Sequence, residues 1–116
     1  MLASAARTVE TTSAVQVTPY SSGVAIFLNV SSVTATPGLT LNVEMKDSVS
    51  GNYKIIWTAG AAVTTTGQYV YILHPAAKDG NATEVDGIPI PKTWRLKVTV
   101  ADADSATYSV SYSTLN

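Results

Sequence analysis

The strongest constraint in this sequence is an alternation of apolar and polar side chains with a period of two. Leu39, Leu41, Val43 and Met45 alternate with Thr40, Asn42, Glu44 and Lys46. Tyr53, Ile55 and Trp57 follow, with Lys54, Ile56 and Thr58 on the opposite parity. The same pattern returns in Trp94, Leu96, Val98 and Val100, and again in Tyr108, Val110 and Tyr112. An amphipathic helix needs apolar residues three and four positions apart, whereas strict alternation sends one face of an extended strand into a core and the other into water. Residues 15–18, 23–30 and 68–73 bring the expected strands to seven, and 23–30 is apolar on both faces, as a central strand would be. Seven short strands without helical periodicity predict an all-β chain, a single antiparallel β-sandwich with immunoglobulin-like or jelly-roll-like connectivity.

Turn-forming residues link the alternating runs. Residues 47–52 (Asp-Ser-Val-Ser-Gly-Asn) predict a hairpin with Met45 opposite Tyr53, Val43 opposite Ile55 and Leu41 opposite Trp57. Residues 101–105 predict a second, with Val98 facing Tyr108, Leu96 facing Val110 and Trp94 facing Tyr112. The interval 74–93 breaks the rhythm over 20 residues, long for a connection in a compact domain. It opens on His74-Pro75, contains Lys78-Asp79-Gly80-Asn81 and closes on Ile88-Pro89-Ile90-Pro91. The two prolines stiffen that strip and remove ladder donors. It is suited to docking a partner with little further ordering, or to capping the open end of the sandwich.

Length and charge bound the function. A chain of 116 residues is one domain and supports a core, with a folded surface of about 6,000 Å² expected from its mass. The absence of Cys removes disulfides, thiolate catalysis and thiolate zinc sites, and a single His excludes two-histidine metal motifs. A net charge of −1 argues against an electrostatic nucleic-acid binder. The apolar run at 24–28 is too short to span a bilayer, so no membrane partner is expected. Charged residues make up 13% of the chain, about half the usual share, while 16 Thr and 12 Ser fill the difference. Such a surface belongs either to a β-protein whose hydroxyls cover its solvent faces or to one whose neighbours cover it.

Residues 1–13 read as an N-terminal arm before a sandwich domain at 14–116, with Leu2 and Val9 its only sizeable apolar anchors. Such an arm is suited to lying against another chain. Ala3-Ser4-Ala5 has the small-residue look of a signal-peptidase site but lacks the preceding apolar and basic regions. The N-glycosylation patterns at Asn29 and Asn81 read as chance without a secretory signal. The remaining candidates for chemistry have plainer alternatives. His74 is the one available base for a nucleophilic triad, yet it sits at a strand end before a proline. Asp102, Asp104 and Ser105 offer oxygens to Ca²⁺ but are also natural turn residues. Glu84 and Asp86 resemble a carboxylate pair without a rigid cleft. Trp57, Trp94, Tyr53, Tyr69, Tyr71, Tyr108 and Tyr112 fit inner-face positions better than a sugar-stacking platform. No catalytic residue, metal ligand or cofactor is expected.

Three stretches carry a resemblance: 46–53 (KDSVSGNY), 88–96 (IPIPKTWRL) and 100–110 (VADADSATYSV), together with the Ser-Ala-Ala-Arg-Thr start at 4–8. They resemble small β-sandwich virion proteins of tailed bacteriophages and prophages, over most of the chain but through turn and strand-start motifs. The resemblance implies a non-enzymatic structural protein of the virion, a head decoration (cement) protein on the outside of the capsid. Its expected partners are the major capsid protein and further copies of itself. Leu2, Arg7 and Val9 of the arm and Ile88, Pro89, Ile90 and Pro91 of the strip are the expected contact residues. A tail-tube or head–tail connector subunit and a carbohydrate-binding module are the alternatives.

Overall fold

A computed structural model describes residues 1–77 and 82–116. The polar tetrad Lys78, Asp79, Gly80 and Asn81, and with it the sequon that begins at Asn81, lies outside the described residues. Among the described residues ten strands follow one another: β1 (Leu2–Arg7), β2 (Thr11–Thr12), β3 (Gln16–Val17), β4 (Gly23–Val33), β5 (Leu39–Lys46), β6 (Tyr53–Thr58), β7 (Gly67–Leu73), β8 (Glu84–Asp86), β9 (Thr93–Val100) and β10 (Ala106–Leu115). The first sheet has the order β1-β10-β4-β7-β8 and the second the order β2-β9-β5-β6, with β3 also paired to β9. The antiparallel pairs β1–β10, β2–β9, β4–β7 and β5–β6 match the outermost strands with each other and the innermost with each other. The chain is thus a long ribbon rolled into two sheets. That is jelly-roll connectivity, and it resolves the alternative left open by the alternation. β8 is an addition, running parallel to β7.

The core is built from the inward parity of each long strand. Val24, Ile26, Leu28 and Val30 of β4 meet Leu39, Leu41 and Val43 of β5 and Trp94, Leu96 and Val98 of β9, all fully buried or nearly so. Each large side chain removed from water in this way contributes about 1.5–3 kcal/mol. The folded surface is 6088 Å², as the mass predicts.

Several local expectations need correction. β5 and β6 do form a hairpin, but Val43 pairs with Trp57, Glu44 with Ile55 and Met45 with Lys54. Ile56 is left over as a bulge, and parity flips there. Trp57 and Ile56 therefore both face inward, while Ile55 turns outward and is 47% exposed. The second expected hairpin does not exist. β9 pairs with β5 in one sheet and β10 with β4 and β1 in the other, so residues 101–105 cross between the sheets. Trp94 and Tyr112 still meet, edge to face with ring centroids 5.1 Å apart, but across the core. β1, β2 and β8 went unpredicted because they lack alternating bulk. Segment 1–13, set apart above as an arm, supplies edge strands to both sheets of its own chain: β1 pairs with β10 and β2 with β9.

Candidate interaction surfaces

The expected contact residues fall into two groups that the fold keeps apart. Leu2 pairs with Val110 and Arg7 with Ala106, at the Ala106 end of β10. Arg7 turns back over the sheet. Its Nη1 donates to the Tyr108 carbonyl at 2.7 Å, its Nη2 to the Ala3 carbonyl at 2.6 Å, and its guanidinium lies 4.6 Å from the centre of the Tyr108 ring. Val9 is exposed between β1 and β2. The 88–91 strip runs by the opposite end of β10. The Ile90 N–H donates to the Ser22 carbonyl, and the Ser22 N–H donates to that of Leu115. Ile90 belongs to the core, Ile88 packs half-buried against it, and Pro89 is exposed. With Met45, Ile56 and Pro91 they line a shallow apolar groove of about 320 Å³. The β6 bulge is what brings Ile56 to that groove.

The candidates for chemistry resolve into structural bonds. His74 Nδ1 accepts the Ala76 N–H and its Nε2 lies 3.0 Å from the Asn116 carbonyl oxygen, so its hydrogen bonds hold a turn. Asp102 Oδ1 accepts the Asp104 N–H within the turn, and Asp104 Oδ2 accepts the Thr36 N–H, tying the β9–β10 connection to the β4–β5 connection. Glu84 and Asp86 point from β8 toward the second sheet. The Gly60 N–H donates to both oxygens of Glu84, at 2.9 and 3.1 Å, and Trp57 Nε1 donates to Asp86 Oδ2 at 2.6 Å. Burial, with the charge of Asp86 behind it, raises the Glu84 carboxyl above its usual range. Burial likewise pushes the Tyr71 phenol up to about 12. Trp57, Trp94, Tyr71 and Tyr108 are all core residues. Among the described residues, no group of three or more His, Asp or Glu side chains could hold a metal, and no helix could cross a membrane.

The outward faces of the two sheets differ sharply. On the second sheet Glu44, Lys46, Arg95 and Lys97 stand outward. Arg95 Nε donates to Glu44 Oε1 at 2.9 Å and its guanidinium stacks 3.7 Å from the Tyr53 ring centre. Lys97 reaches Glu10 at 3.3 Å. A polar cleft of about 530 Å³ lies beside them, bounded by Asp47, Ser50, Asn52, Tyr53, Lys54 and Arg95. Asp47 is committed to the turn there. The Val49 N–H and the Ser50 hydroxyl hold its carboxyl below the ordinary value.

The first sheet presents nothing comparable. β4, β7 and β10 contain no charged residue, and the only charges on β1 and β8 are Arg7, Glu84 and Asp86, all turned toward the core side. Outward stand Phe27, Asn29, Gln68, Val70, Ser109 and Ser111, around a depression of about 330 Å³, with Phe27 40% exposed. No contact residue was expected on this face. The signal was present all the same: the outward parity of three long strands is filled with Ala, Ser, Asn, Gln and aliphatic residues. Compared with protein-family models, with curated proteins and with solved structures, the chain matches none.

Proposed function

We propose that this chain is a non-enzymatic structural protein of a tailed-bacteriophage virion, a head decoration (cement) protein that docks on the outside of the capsid. What supports the reading is the combination of the sequence resemblance with a jelly-roll sandwich of which one whole sheet face carries no charge. A surface so poor in charge favours association over solvation. Jelly rolls serve in viral shells and in lectins alike, so the fold by itself is compatible with more than one role. Burial of Trp57 and Trp94 takes away the platform on which a sugar ring would stack, which favours the decoration reading over a carbohydrate-binding module.

In this role the protein binds the assembled lattice of the major capsid protein better than loose subunits, and so stabilises the shell by mass action. Repeated copies raise the effective affinity without new kinds of contact. The groove at Ile88, Pro89 and Pro91 is the apolar anchor, and Leu2, Arg7 and Val9 form a second contact at the β1 edge.

Adding the purified chain to capsids that lack it, followed by co-sedimentation and imaging, tests the reading. Saturable binding to the outer surface, weakened by Pro89→Asp or Val9→Asp, is expected. Point changes are preferable to removing residues 1–13, because that deletion also strips an edge strand from each sheet. A folded chain that ignores capsids, or that polymerises alone into rings or tubes, would overturn the proposal; the second result would favour a tail-tube or connector subunit.

A further inference from the structure

We propose that two copies of this chain stack face to face through the uncharged outward surface of the first sheet. The inference rests on the self-association in the reading above and is independent of capsid docking. It begins with where charge has been placed. The two edges of the first sheet are guarded: β1 is bulged at residues 3–4 and carries Arg7 folded over its inner side, and β8 is three residues long with Glu84 and Asp86 turned inward. Bulges, short strands and inward charges are the devices that stop a sheet from growing sideways. The second sheet is guarded in the same manner, by the Ile56 bulge on β6 and by the division of the opposite edge into two-residue strands. Strand addition is therefore blocked on every side. The flat face of the first sheet has no such protection.

That face is compatible with itself. An isologous contact places the same patch on both sides, residue i meeting j and j meeting i, so any net charge on the patch would meet its like. Among the described residues this is the one sheet face without a charge, whereas the outward face of the second sheet carries Lys46, Arg95 and Lys97 against the single carboxylate Glu44, a net positive patch that would repel its copy. Its size is that of a small interface. Five strands of 6, 10, 11, 7 and 3 residues, at about 3.3 Å per residue and about 4.8 Å apart, cover on the order of 590 Å². The smallest standard interfaces bury about 600 Å² per partner. Small side chains at Ala25, Ser109 and Ser111 allow the roughly 10 Å approach of stacked sheets, and the Phe27 ring is the apolar projection beside the central depression. Phe27 stands opposite Val70 and Ser111 in the strand register and is an exposed side chain outside the core.

Sedimentation equilibrium of the full chain, without capsids, tests this between about 1 μM and 1 mM and from low to high salt. A dimer whose affinity holds or rises with salt is expected. Phe27→Lys should weaken association at least about 30-fold, as loss of a central anchor does. Ser111→Glu, at a solvent-facing position that leaves the core untouched, should weaken it as well and decides the matter should the Phe27 variant fail to fold. Ile55→Lys, outward on the second sheet, should leave the dimer unchanged. A wild-type chain that stays monomeric at 1 mM, or a dimer lost with Ile55→Lys and kept with Ser111→Glu, would overturn the proposal. Failure of capsid binding alongside an intact dimer would count against the decoration role and leave this interface standing.

Discussion

The two sheets share one core yet present opposite surfaces. Every outward charge bonded on the second sheet works within the fold: Glu44 is 4% exposed and holds Arg95, Arg95 covers Tyr53, and Lys97 reaches Glu10. On the first sheet the charges have withdrawn to the inner side of the edges, and the broad outward face makes no bonds that the fold requires. The chain is low in charge on average, but the average conceals its distribution. Charge remains where it holds strands together or keeps them from pairing with others, and is missing from a surface free to serve another purpose.

The contrast can be broken in several ways. The largest effect belongs to the layer that both sheets share. Trp94→Ala removes a fully buried ring that donates to Thr18 and packs on Tyr112, and should cost about 3–5 kcal/mol in urea unfolding. A loss below about 1 kcal/mol would mean the sheets do not depend on a common core. Next comes Arg95→Met, which leaves the nearly buried Glu44 carboxylate without its cation; about 2 kcal/mol should be lost by the same measurement. Ser13→Ala should cost about 1 kcal/mol, because its hydroxyl oxygen accepts the Leu96 N–H where the β2–β3 edge is interrupted.

Glu84→Gln tests the edge charges of the first sheet. The folded chain holds this carboxyl above its ordinary value of 4.5, so the charged form is the disfavoured one. Stability should therefore fall in the wild type as pH rises from about 4.5 through the raised value, and this slope should flatten in the variant when thermal unfolding is followed across that range. The smallest effect should be that of Ser111→Lys, within about 0.5 kcal/mol of wild type. Should it cost as much as Arg95→Met, the outward face of the first sheet would be as much a part of the fold as that of the second.

Much of this architecture was legible from alternation, because burial on one side writes itself into the sequence at every second residue. The alternating runs at 39–46, 53–58, 94–100 and 108–113 mark four of the strands directly. Alternation says which residues turn inward, however, and is silent on whether two inward faces lie side by side or opposite each other. For that reason β9 and β10 could be mistaken for a hairpin although Trp94 and Tyr112 do meet. The Ile56 bulge was hidden because Ile55 and Ile56 are chemically alike, and either one satisfies an apolar position. β8 reads Glu-Val-Asp, whose carboxylates suggest a solvated loop until the Trp57 and Gly60 donors are seen to face them. The strip at 88–91 was visible as prolines and isoleucines, with docking and capping of the sandwich both open, and the burial of Ile90 places that residue in the core.

The pairing of β1 with β10 has a consequence for how the molecule comes into being. Within this sequence β1 finds its neighbour in the much later β10, and β2 likewise waits for β9. The β5–β6 hairpin and the β4–β7 pair can form early, but neither sheet can be completed before β9 and β10 are made, so β1, β2 and β3 stay unpaired until then. Folding of this non-local kind is slow. It should be completed only after β9 and β10 have been made, and the early segments, short and rich in Ala, Ser and Thr, are well suited to that delay because they offer little for other nascent chains to adhere to.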